Sequence, residues 1–118
     1  IANGTMVYES LEAAKFLELE GLSSTVVNMH TIKPLDTSVI DKAIKSSKLI
    51  ASIEEHNVIG GLGGAIAEYK TAFRNTPPQL IMGLPDKFGG VGEHRYLLEK
   101  YELTGKHIAK RISSAYKE

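Results

Sequence analysis

The 118-residue sequence predicts an α/β fold in which helices cover both faces of a parallel sheet. Three observations carry that prediction. Short apolar, β-branched runs alternate with stretches of helical period. Each helical stretch is long enough to serve as a crossover, so the strands it joins run parallel. Breakers sit at the junctions: Gly21, Pro34, the Gly60–Gly64 cluster and Pro77-Pro78.

The elements follow in order. Val7, Leu11, Ala14 and Leu17 fall on one helical face, with Thr5 as the expected N-cap and Gly21 as the stop. Thr25-Val26-Val27-Asn28-Met29 reads as a strand. His30–Pro34 is extended because a proline biases its predecessor out of the helical region. Asp36 caps a helix whose inner positions are Val39, Ile40, Ala43 and Ile44. Leu49–Ile53 is a second buried strand, ending in Glu54-Glu55-His56-Asn57. The glycine-rich turn opens a helix carrying Leu62, Ala65, Ile66, Tyr69, Ala72 and Phe73. Leu80-Ile81-Met82 is a third strand, and residues 85–90 form a loop. A short helix spans about Glu93–Tyr101, and Thr104 caps a last one with Ile108, Ile112 and Ala115 inside. Ile1-Ala2-Asn3 is all that stands for a first strand.

Composition bounds the function. A 42% apolar and 24% charged chain of this length can build one packed domain, residues 1–118. Fourteen basic residues balance fourteen acidic ones, which argues against a protein held mainly by nucleic acid or an anionic membrane. Cysteine is absent, so disulfides, thiolate metal sites and thiol catalysis are excluded, and a reducing cytoplasm is the expected compartment. No apolar run approaches the roughly 20 residues that cross a bilayer. The opening residues lack a signal-peptide pattern, and a start at Ile1 suggests a processed product or part of a longer polypeptide.

Two stretches could carry chemistry. Glycines between a strand and a helix leave free backbone N–H groups at the positive end of a helix dipole, a setting for an anion. Gly61 and Gly63 fit the start of a dinucleotide fingerprint, but Ile66 stands at its third glycine, and no Gly-Lys-Ser/Thr follows. Close packing of the helix on the sheet explains the same glycines and is the favoured reading. The second stretch is Glu54-Glu55-His56 at the carboxyl end of a strand, where open α/β sheets gather ligands. Neighbouring strand residues point to opposite faces, so the two carboxylates do not form a convergent acid–base pair. His30, His56, His94 and His107 match no metal-ligand spacing. No Gly-x-Ser-x-Gly elbow is present, and the aromatic residues do not line a basic strip. The residues alone give no catalytic set and no metal site.

Several segments, taken together, resemble the C-terminal domain of the transketolase family. They are Gly4-Thr5-Met6-Val7, Leu11-Glu12-Ala13-Ala14, Thr31–Asp36 and Ile53-Glu54-Glu55-His56 with Gly60–Gly64. Asp86-Lys87-Phe88-Gly89 and Leu97–Thr104 complete the set, in family order along nearly the whole chain. The resemblance implies a three-layer α/β/α sandwich around a mostly parallel, mixed sheet of about four to five strands, its first strand truncated here. It implies thiamine diphosphate and Mg²⁺ in the parent enzyme, with no cofactor bound by this lobe alone. The parent would be a homodimer that moves two-carbon ketol units between sugar phosphates, and this lobe would buttress the other domains or a separate N-terminal section. Glu54, Glu55, His56, Gly60, Gly61 and Gly63 would then face an interdomain cleft, and Phe88, His94 and Arg95 an interface. Alternative parents are a deoxyxylulose-phosphate synthase and a 2-oxo-acid dehydrogenase β subunit, where the lobe docks another subunit. A phosphate or nucleotide sensor is a further alternative. Glu102 occupies a position where the family commonly has glycine.

Overall fold

The structure, a computed structural model, describes residues 1–117. In chain order it contains α1 (Met6–Leu19), α2 (Thr37–Ser46), β1 (Ile50–Asn57), α3 (Leu62–Lys70), β2 (Gln79–Leu84), α4 (His94–Lys100) and α5 (Gly105–Lys117). β1 and β2 pair in parallel from Ile50↔Gln79 to Ile53↔Met82, with a register shift before Asn57↔Leu84. None of these helices is long and apolar enough to cross a membrane.

The expected sheet of four to five strands is corrected to two strands, with two further segments joined only by single bridges. Ala2 bridges Asn28 on one side and Ile53 on the other, both in parallel. The Ala2 N–H donates to the Val27 carbonyl at 2.9 Å, and the Met29 N–H donates to Ala2 at 2.8 Å. Thr25–Met29 is therefore an extended segment with one bridge and not a strand. Ala2 is the bridging residue of Ile1–Asn3, and Gly4 turns at φ +53 straight into α1. The Ile1 amine donates to the Ala51 carbonyl at 2.8 Å, and burial pushes its pKa down to about 6.

Alternation along the strands sorts the core into two clusters. Ile53 and Met82 join Ala2 and residues of α1, α4 and α5, including Met6, Ala13, Leu17, Leu98 and Ile108. Toward α3 the sheet instead presents Ser52 and Ile81, the atoms nearest to Gly63. Met29, Ile40, Leu62 and Ile66 form the second cluster, under α2 and α3. Helices thus pack on both faces, as the sequence pattern requires.

Two local expectations are corrected. The inward face of α1 runs through Met6, Ser10, Ala13 and Leu17, while Leu11 is exposed and Val7 and Ala14 are half-buried. The true stripe lies one residue, about 100°, from the one read from hydropathy. The difference arises because Glu9 and Ser10 are buried although polar. Thr5 is in helical conformation and makes no cap bond; its hydroxyl goes to Glu55 instead. Asp36 does cap α2, accepting from the Ser38 N–H at 3.1 Å. Gly21, at φ +76, closes α1 in the left-handed conformation, and the Leu22 N–H returns to the Leu17 carbonyl.

Candidate functional site

The carboxyl end of β1 opens on a cleft of about 520 Å³. Five of the residues singled out in the sequence line it: Glu54, Glu55, His56, Gly60 and Gly61. Gly63 lies behind, against the sheet, where an added Cβ would meet Ile81 Cγ2 at 2.5 Å and Ser52 Oγ at 2.9 Å. Thr5 and His30 complete the polar rim. Neither was read as a site residue. Topology brings them in, because the chain segments after Ile1 and after Met29 end at the same edge of the sheet as β1.

Glu54 is fully buried, and its side chain turns back under the glycine turn. Its Oε2 accepts from the Leu62 N–H at 2.7 Å and its Oε1 from the Gly63 N–H at 2.9 Å. Those are free N–H groups of the first turn of α3, which the sequence left without a capping side chain. A buried carboxylate at a helix N-terminus satisfies donors and dipole together. Gly61 makes room for it: a Cβ there would sit 2.0 Å from Glu54 Oε2. Gly60 has φ +80, the left-handed turn that lets the chain reverse from β1 into α3. The anion position anticipated at this turn is thus held by the chain's own carboxylate.

Glu55 points the other way and ties two helix starts together. It accepts from the Thr5 hydroxyl before α1 and sits 2.9 Å from His94 Nε2 at the start of α4. Burial pushes its carboxyl up, but the hydrogen bonds from Thr5 and His94, with the charge of His94, outweigh that and hold it below 4.5. His56 is exposed; its Nδ1 lies 2.9 Å from the Asn57 carbonyl and 3.9 Å from Glu54 Oε2. Opposite-face pointing, expected from strand alternation, is what separates Glu54 from Glu55.

The interface candidates divide. Arg95 donates from Nη1 to Glu9 Oε1 at 2.8 Å, and Glu9 Oε2 accepts from the Gly105 N–H at 2.6 Å. Buried Glu9 therefore caps α5 as Glu54 caps α3, and Arg95 braces α4 onto α1. His94 is engaged by Glu55. Phe88 and Val91 stand fully exposed on the loop between β2 and α4. Asn57 Nδ2 donates to Asp86 Oδ1 at 2.7 Å, linking that loop to the glycine turn.

Thiamine diphosphate and Mg²⁺ do not fit these residues. No group of three or more His, Cys, Asp or Glu among the described residues could hold a metal ion. The N-terminus of α3, the setting for an anion, already faces the Glu54 carboxylate.

Comparison with known proteins agrees with the architecture. Residues 1–108 match the family described as the transketolase C-terminal domain, and the chain belongs to that family. It is 41% identical over 118 residues to a putative transketolase C-terminal section of Methanocaldococcus jannaschii, covering all of this chain and 36% of that protein. It is 39% identical over 118 residues to a 1-deoxy-D-xylulose-5-phosphate synthase of Dictyoglomus thermophilum, covering all of this chain and 19% of that enzyme. Among solved structures, a split-gene transketolase described as an inactive β4 tetramer superposes with a TM-score of 0.87 at 37% identity, over 98% of this chain and 37% of its own. The chain thus spans about a fifth to a third of the curated relatives it matches.

Proposed function

We propose that this chain is the supporting C-terminal lobe of a thiamine-diphosphate enzyme of the transketolase type, with bond-making on other domains. The parent moves a two-carbon ketol unit between sugar phosphates. Synthesis of deoxyxylulose phosphate is the second reading, supported by 39% identity to one such enzyme over the whole of this chain. The cleft edge from Glu54 to Gly61 packs against the rest of a cytoplasmic homodimer. Thiamine diphosphate and Mg²⁺ belong to the other domains.

One observation carries this reading: every carboxylate that could act in the cleft is already spent on the lobe's own framework. Glu54 caps α3, and Glu55 joins α1 to α4. Ile59 on the glycine turn, and Phe88 and Val91 on the loop before α4, are exposed apolar side chains suited to contact with other polypeptide. The test compares amide hydrogen exchange of the isolated chain with that of the same residues in the parent assembly. Slower exchange is expected at residues 55–61 and 86–95. Equal rates in both settings would remove the proposed contact.

A further inference from the structure

A second surface, on the free edge of the sheet, points to a peptide partner. Among the described residues β2 pairs with β1 alone, which leaves its other edge open. The Ile50 N–H donates to the Pro78 carbonyl at 3.1 Å, and the Val58 N–H donates to the Leu84 carbonyl at 2.9 Å. Even-numbered carbonyls therefore face β1. Peptide groups alternate sides along a strand, so those of Gln79, Ile81 and Gly83 point outward. Edge strands are ordinarily blunted by proline, lysine or inward charges. Gln79-Leu80-Ile81-Met82-Gly83-Leu84 contains none of these.

A groove of about 410 Å³ runs beside this edge, with Ile81 and Gly83 on one side. Lys87, Lys100, Arg111 and Glu102 supply its charges, three cations against one carboxylate. Among the described residues, none of the three cations forms an ion pair. In a chain of zero net charge, this local excess at an unpaired strand is a recognition feature.

We propose that the groove receives an extended acidic peptide segment, which adds to β2 as a further strand. Its backbone pairs with Gln79, Ile81 and Gly83, and its carboxylates meet Lys87, Lys100 and Arg111. Main-chain bonds give the affinity of such strand addition, and alternate side chains give its specificity. This surface is separate from the cleft at Glu54–Gly61, so it stands or falls independently of the lobe's role in a parent enzyme.

The test titrates the chain with a blocked heptapeptide of alternating valine and glutamate, followed by NMR. Two control peptides are used: one with lysine for glutamate, and one fully N-methylated, which keeps the carboxylates but cannot donate. The valine–glutamate peptide is expected to shift the Ile81 and Gly83 amides and slow their exchange. Both controls should bind at least tenfold more weakly. The surface double variant K100E/R111E should weaken the acidic peptide about tenfold, the scale of a few exposed ion pairs. No binding at millimolar peptide would overturn the proposal. Equal binding of the N-methylated peptide would overturn it too, since charge attraction alone would then suffice. So would an acidic oligonucleotide that binds the same cations and leaves Ile81 and Gly83 unshifted, while the peptide does not bind.

Discussion

Gly61→Ala is the sharpest probe of how the glycine turn is built. The backbone of Gly61 is extended, at φ −102 and ψ −151, so its φ is negative and open to alanine. Its Cβ would instead lie 2.0 Å from Glu54 Oε2 and 2.7 Å from Glu54 Cδ. The carboxylate must leave, and with it the bonds to Leu62 and Gly63. Hydrogen bonds to a charged group contribute roughly 1.5 kcal/mol or more each, so about 3 kcal/mol is lost. Replacing glycine lowers the entropy of the unfolded chain and returns about 0.4–1 kcal/mol. The net cost is about 2–3 kcal/mol. In a Glu54→Ala background the clash is gone, and the same Gly61→Ala change should stabilise by about 0.4–1 kcal/mol. Urea unfolding of the four proteins in the cycle gives the coupling energy, expected near 3 kcal/mol. Additivity within about 0.5 kcal/mol would refute the assignment of Glu54 as the cap of α3.

Other outcomes follow from neighbouring residues. Gly64 has open space where a Cβ would go, so Gly64→Ala should stabilise α3 by about 0.5–1 kcal/mol, whereas Gly63→Ala should destabilise it against Ile81 and Ser52. Thermal unfolding of the two variants separates them; equal shifts would contradict the packing. Glu102 holds φ +57, so Glu102→Gly should stabilise by up to about 1 kcal/mol once strain relief is set against added chain entropy; a loss of stability would mean the side chain does more than tolerate the turn. Glu55 has a depressed carboxyl pKa, so the unfolded chain binds its proton more readily. Its contribution is complete at neutral pH, above 4.5, and is lost as pH falls through the lowered value. Stability measured from pH 3 to 7 should therefore show a shallower acid slope in Glu55→Gln; an unchanged slope would dissociate Glu55 from Thr5 and His94.

Much of the fold was legible because local rules operated without competition. Asp36, Gly21 and the Gly60–Gly64 turn acted through their own backbone neighbourhoods, and the 3.6-residue period marked α1, α2, α3 and α5. What escaped was set at long range. Nothing local marks Glu9 or Glu54 as a cap, because the helix ends they cap, at Gly105 and Leu62, lie elsewhere in sequence or behind a turn. Burial of Glu9 and Ser10 turns the inward face of α1 away from its most apolar stripe. The sheet was over-counted because β-branched composition at Thr25–Met29 signals extended backbone, while a ladder also needs successive paired residues, and in this segment Asn28 alone bridges. At the site, the run from Glu54 to Gly63 was visible as a unit, but the sequence could not show that its carboxylate fills its own anion position. Thr5 and His30 carried no signal beyond residue type; only the shared sheet edge unites them with His56.

The claim that chemistry resides outside this lobe is tested most directly by a turnover assay. The 118-residue chain is incubated with thiamine diphosphate, Mg²⁺, a ketose-phosphate donor and an aldose-phosphate acceptor. Product formation no faster than in protein-free buffer is the expected result. Turnover that scales with the concentration of this chain would contradict the assignment of a supporting role.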